Sequence, residues 1–522
     1  MSGRGQWELG GPIGDGLPYY EHAQRLRRMH GSGPLPQGGR PMPDAPADGE
    51  EEPHRRDPTR ADIAELVQTL DRAVTHWPPD REPLSMLDDR IRPLYVHGVR
   101  DELAAGIREL GHVPADRLRL LGRWLAGTGT HRSAVDLGLI LLGVAGHDDD
   151  RDLILTLASL SGVSGAAEAL AASQSRPHEA LLEMARRTSD WERVDAIRGL
   201  RGAQVEQRDK DWLIRDACDG GFLDVYFAEV VAETGDLAGT LAADTVDDDL
   251  LRGAELVLYA LCELESPELG ILDYRDAEAA VQHYARHVAA RPLTLNRLCQ
   301  LVPVYALVCS PRAGEGHWST EGLSRVRDLY RDLLSSPAAQ EIVQASLAAA
   351  EQQVFVKAAW VAGHAGPPVQ DHLLRRLESD PLNEWVWCWL LDGGPAARVG
   401  VPNTAEGIDV ALAAAGRLLP LRRLMTGPPE PAGDADPYEK ILDLVLSRLR
   451  TYPGHGWEII HTALRSHVHS YRSLAVLTLQ RWSPEQFPPE AVDVLESVRA
   501  AEPYTELRER LAALTGRVRT GG

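Results

Sequence analysis

A chain of 522 residues carrying 77 acidic against 55 basic side chains has a formal net charge of -22, and repels phosphate backbones and anionic membranes unless its cations gather on one face. Lysine occurs only at Lys210, Lys357 and Lys440, and no basic run exceeds Arg25-Leu26-Arg27-Arg28, which disfavours nucleic acid as a partner. Five scattered cysteines with no C-x-x-C pair argue against a disulfide framework or a zinc site, and for a reducing compartment.

No charged start followed by an apolar segment opens the chain, so no secretory signal is expected. Apolar runs such as Leu137–Ala145 and Trp385–Leu391 fall far short of the roughly 20 residues that span a bilayer. The localisation expected is cytoplasmic, with no membrane partner. Arginine in place of lysine, with abundant Ala, Gly and Pro, reads as a high-GC coding bias.

Residues 1–58 are dense in Gly, Pro and polar residues and run into the acidic stretch Asp48-Gly49-Glu50-Glu51-Glu52. Such a composition cannot bury enough apolar area to offset the entropy of ordering, which predicts a disordered tail. Within it, residues 17–30 place Tyr19, Ala23, Leu26 and Met29 at near-helical spacing. They read as a short helix that docks in a groove, on a partner or on this protein's own body, with Tyr19, Leu26 and Met29 as contact residues. The competing reading is an amphipathic scrap in a floppy tail.

From residue 59 one amphipathic helix follows another. Ile63, Leu66, Val67, Leu70 and Val74 make one apolar stripe, which Pro78-Pro79 ends. Helical patterns follow at 83–110, 114–126, 133–146, 150–160, 165–172, 177–188, 190–200, 211–217 and 223–234. More lie at 250–264, 277–290, 320–334, 338–363, 369–378, 384–391 and 405–418, then at 438–451, 458–467, 472–482, 489–500 and 504–514. Ser189-Asp190, Asp211, Thr320 and Ser483-Pro484 stand where first turns need caps. The break at 426–437 reads as a loop or hinge between a 59–425 body and C-terminal repeats at 438–522.

Two segments, Ser189–Leu200 and Ser470–Trp482, carry Arg, then Ala three on, then Leu seven on: Arg193, Ala196, Leu200 and Arg472, Ala475, Leu479. Both resemble the second helix of a HEAT-type repeat, although Glu192 and Tyr471 stand where that family places an apolar residue. The resemblance implies that small and aliphatic residues let neighbouring hairpins approach while the Arg joins a ladder along the stack. A third instance, Arg286, Ala289 and Leu293, runs into Pro292. About ten helical pairs at the roughly 40–47 residue HEAT period would fill residues 60–522. The fold class expected is all-α, a HEAT-like α-solenoid of stacked antiparallel helical hairpins with a disordered N-terminal tail.

Asp148, Asp149 and Asp152 form a D-D-x-x-D similar to the magnesium motif of class I terpene synthases, where carboxylates hold the metal against a diphosphate. The second magnesium motif of that family has no counterpart: Asp247-Asp248, followed by Leu251 and Glu255, lacks the hydroxyl. The competing reading is a turn whose acids charge the first turn of the next helix. His455, His461, His467 and His469 are dense but share no helical face. Trp385, Trp387 and Trp389 read as the core of an inner helix or, through Trp385, as a partner anchor. No P-loop, dinucleotide or nucleophile-elbow signature occurs, so no catalytic, cofactor or metal residue is assigned. The function expected is a scaffold or adaptor that binds a protein partner, basic in the segment it presents, along a helical-repeat groove. The alternative is an all-helical magnesium-dependent enzyme acting on a diphosphate through residues 148–152.

Overall fold

A computed structural model describes residues 9, 11, 16–45, 55–263, 269–394, 403–428 and 436–520. All regular structure among them is helical, apart from one bridge between Arg56 and Leu94. The chain divides into two compact units: Met1–Ala290 with Arg312–Val326, and Arg291–Pro311 with Arg327–Gly522.

In the first unit, Thr59 accepts the Asp62 backbone N–H while the Asp62 carboxylate takes that of Thr59, a capping box that starts the helix Arg60–Thr75. Leu66, Leu70, Ala73 and Val74 are buried in a core shared with the helices Arg81–Ile91 and Arg100–Arg108. The single pattern expected at 83–110 is therefore two helices, because Pro93 supplies no N–H to continue the ladder. Three pairs follow, each packed on the one before: Ala115–Thr128 with Arg132–Ala145, Arg151–Ala158 with Ala166–Ser173, and Pro177–Arg187 with Asp190–Arg198. A Cβ on Gly138 would stand 2.6 Å from the backbone nitrogen of Ala126, so glycine permits the close approach of the first of these pairs.

These pairs and the next, which opens with Gln207–Asp216, begin about every 30 residues, a shorter step than the 40–47 expected of HEAT repeats. The cause is local: the five helices from Arg151 to Asp216 run 8 to 11 residues. A series of ion pairs crosses between neighbours in steps of 23 to 32 residues, Arg119–Asp150, Arg151–Glu183, Arg186–Asp209, Arg201–Glu229 and Arg215–Asp247. The caps expected from sequence are realised unevenly. Ser483 forms its capping box with Gln486, whereas Ser189 gives no side-chain cap and Asp190 instead takes a φ of 54°.

The second unit contains a helix, Leu295–Cys309, where none was expected, with Pro303 in its interior. Leu298, Leu301, Val302, Val304, Leu307 and Val308 are buried along it. That burial outweighs the roughly 3 kcal/mol of an interior proline. It packs on Pro337–Leu347 and Gln352–Ala365, into which the expected 338–363 helix divides. From the 426–437 break, residues 429–435 lie outside the described residues, and the Gly427 N–H donates to the Arg465 carbonyl at 2.6 Å.

Arginine has a structural use throughout. The Arg of each R-x-x-A-x-x-x-L segment donates to carbonyls at the C-terminal end of a preceding helix: Arg193 to Thr188 (3.1 Å), Arg286 to Leu241, Ala242 and Ala243 (2.8–3.2 Å), and Arg472 to Ser466 and His467 (3.0 and 2.7 Å). Arg117, Arg327, Arg376 and Arg517 do the same at Val74 and Thr75, Val308, Ala349 and Ala350, and Leu479 and Gln480. A planar guanidinium spans two adjacent acceptors and meets the negative end of a helix, which a lysine ammonium does less well. What read as coding bias is thus also a means of tying one helix to another.

Candidate partner-binding site

The helix Tyr19–His30 lies on Ala115–Thr128 and Arg151–Ala158 of its own unit. Tyr19 is fully buried; its N–H donates to Gly129 (3.0 Å) and its hydroxyl to Asp44. Asp44 also accepts from Arg55 (2.5 Å) and from the Arg132 backbone (3.1 Å). Burial alone would raise the Asp44 carboxyl, but these donors hold it below the usual carboxylate range. Leu26 is half-buried, whereas Met29 is 60% exposed. The segment therefore docks in cis, with Tyr19 and Leu26 turned to its own body and Met29 to solvent. The contacts extend past the helix to Leu35, Gly38, Gly39 and Met42, all buried. Of the tail expected to be disordered, residues 1–8, 10, 12–15 and 46–54 lie outside the described residues. Nearby, Asp136 is wholly enclosed and accepts the Ser164 N–H (3.2 Å); burial pushes its carboxyl up to about 7.

The acids at 148–152 serve the turn they sit on. Asp148 accepts the Ser175 N–H and hydroxyl, both at 2.7 Å, and these bonds hold it below its ordinary range. Asp150, buried, binds Arg119 and Arg123 and the His147 N–H, while Asp149 and Asp152 face solvent. Among the described residues no three His, Cys, Asp or Glu are grouped as metal ligands. The C-terminal histidines disperse: His455 bonds Asp409 (2.8 Å), His461 stacks on Trp457, His467 meets Thr426 (2.9 Å) and His469 lies against Tyr504. Trp387 is fully buried with its N–H on Pro381 (2.9 Å). Trp385 and Trp389 are half-buried with ring centroids 4.9 Å apart, Trp385 edge-on to Phe355.

Packing creates a surface that the sequence reading passed over. Trp191, on the first turn of Asp190–Arg198, is 50% exposed, and Phe222, opening the 3₁₀ turn Phe222–Tyr226, is 76% exposed. Tyr226 lies between them, its ring centroid 4.8 Å from Trp191 and 5.9 Å from Phe222. Both arms are braced. The Ser161 hydroxyl donates to Asp190 (3.3 Å), while the Gly220 and Gly221 N–H groups donate to Asp224 (2.8 Å) and Asp219 (2.9 Å). Carboxylates crowd both arms. Burial, then the charges of Asp190 and Asp195, push Glu192 up to about 7; burial and Glu168 push Asp195 to about 6; burial and Asp219 push Asp224 to about 6. Arg193 approaches Asp219 no closer than 3.9 Å. The available signal was an aromatic directly after Gly220-Gly221 and another between Asp190 and Glu192, about one pair-to-pair step apart.

No family model and no curated protein matches this chain. A crystal structure of an engineered protein aligns over 88% of this chain and 100% of its own, at 15% identity and a TM-score of 0.19. At that level the likeness assigns neither fold nor function. Among the described residues no helix is long and apolar enough to cross a membrane.

Proposed function

We propose that this protein is an interaction scaffold or adaptor: a HEAT-like α-solenoid with short repeats that holds a segment of a protein partner. The observation that carries the reading is the braced, exposed aromatic group of Trp191, Tyr226 and Phe222. Trp and Tyr dominate binding hot spots, because they present large rigid area at low entropic cost. Ion pairs stepping from one helical pair to the next, and arginines tying helices to earlier ones, support the stacked-hairpin part, since each repeat of a solenoid leans on its neighbours. Of Asp148, Asp149 and Asp152, on which the diphosphate alternative rests, Asp148 is committed to Ser175 while Asp149 and Asp152 face solvent, and Asp150 between them is held by Arg119 and Arg123.

The test is affinity capture from cells that express the protein, with wild type and Phe222→Ala as parallel baits. A stoichiometric protein partner held by the wild type and depleted by the substitution is expected. Absence of any stoichiometric partner, or equal capture by both baits, overturns the proposal.

A further inference from the structure

We infer that the Trp191–Tyr226–Phe222 surface binds an arginine-rich segment of the partner, with a guanidinium lying on the exposed aromatic faces and donating to Asp219. The inference rests on the scaffold reading of the same site and names the chemistry it selects. Three features carry it. The rings are exposed at 50% for Trp191 and 76% for Phe222, and none of the arginine–ring contacts found among the described residues falls on them. Elsewhere this chain does cover aromatic faces with arginine, Arg186 over Trp212 at 4.7 Å, Arg376 over Phe355 at 5.1 Å and Arg423 over Tyr438 at 5.4 Å. The trio is thus an aromatic surface of the same kind left open.

Charge is the second feature. Asp190 on one arm and Asp219 on the other are exposed carboxylates, whereas Glu192 and Asp224 are buried; Asp219 is 71% exposed, with one oxygen used by Gly221 and the other 3.9 Å from Arg193. A planar donor that stacks on a ring and bonds a carboxylate at its edge matches this layout, and guanidinium does both. Third, the bonds of Asp190, Asp219 and Asp224 fix both arms before a ligand arrives, which lowers the entropic cost of binding.

The experiment uses the full chain and fluorescence anisotropy with three labelled eight-residue peptides, alternating Arg-Gly, Ser-Gly and Glu-Gly. Saturable binding of the Arg-Gly peptide alone is expected. Trp191→Ala and Phe222→Ala should each weaken it at least tenfold, Asp219→Asn severalfold, and Trp191→Phe much less than Trp191→Ala. Phe222, being mostly exposed, can be replaced without loss of the fold, which circular dichroism checks. Equal binding of the Ser-Gly peptide, Arg-Gly binding indifferent to both aromatic substitutions, or no binding by wild type overturns the inference. A capture experiment that still returns a Phe222-dependent partner then leaves the scaffold reading standing; loss of that partner as well removes both.

Discussion

Asp136 and Arg472 show how single buried charges are treated in this molecule. The Asp136 carboxyl is raised to about 7 in the folded chain, against an ordinary value near 3.8. The unfolded chain therefore releases this proton first, and stability falls as pH rises from about 4 to about 7, the loss being complete above 7. Asp136→Asn, whose carbonyl can still accept the Ser164 N–H, should raise the melting temperature at pH 8 and change it little at pH 4. An equal shift at both pH values would contradict this account. Arg472, nearly without exposure, binds Glu502 through two nitrogens (2.7 and 3.1 Å). Arg472→Ala leaves that carboxylate buried without its partner and should cost about 3–5 kcal/mol in denaturant unfolding. Arg472→Met with Glu502→Leu should recover most of it. The Arg was legible in sequence from its spacing to Ala475 and Leu479, whereas Glu502 was not, because nothing local marks a partner thirty residues on.

At the scale of elements, the helix Tyr19–His30 shows how far periodicity carries. Its spacing predicted a helix with an apolar side, but docking on the body or on a partner could not be separated without the groove it meets. Gly38 completes that docking: its carbonyl accepts the Ser161 N–H (2.8 Å), its φ is 63°, and an added Cβ would stand 2.4 Å from the Ser161 Cβ. Gly38→Ala should weaken the attachment by about 1–3 kcal/mol. Hydrogen exchange should then quicken in residues 19–45 and stay unchanged in Arg132–Ala145; unaltered protection of 19–45 would show that Gly38 is dispensable. The helix Leu295–Cys309 errs in the other direction. Pro303 is a breaker by local rules, and six buried aliphatic side chains outweigh it.

At the scale of the whole molecule, the net charge of -22 and the exposed carboxylates of Asp190 and Asp219 bear on how a partner is held. A basic partner captured by the wild-type protein should elute as salt is raised, and at lower salt when Asp219 is replaced by Asn, since exposed charge pairs are screened over about a Debye length. Elution that ignores both would point to apolar contact alone. The sequence by itself determined that the chain is helical, roughly where most helices start and stop, and that no familiar catalytic motif is present. These properties reside in windows of a few residues, where periodicity, proline and caps act. Only the tertiary structure decided that residues 19–45 fold back on the body, that Asp148 and Asp150 are committed to Ser175, Arg119 and Arg123, and that Tyr226 lies against both Trp191 and Phe222. Each of these is a contact between residues distant in sequence, and its occurrence depends on the step from one helical pair to the next. Between Ala115 and Asp216 that step is about 30 residues, where the HEAT resemblance implied 40–47, because short helices and tight turns set it there.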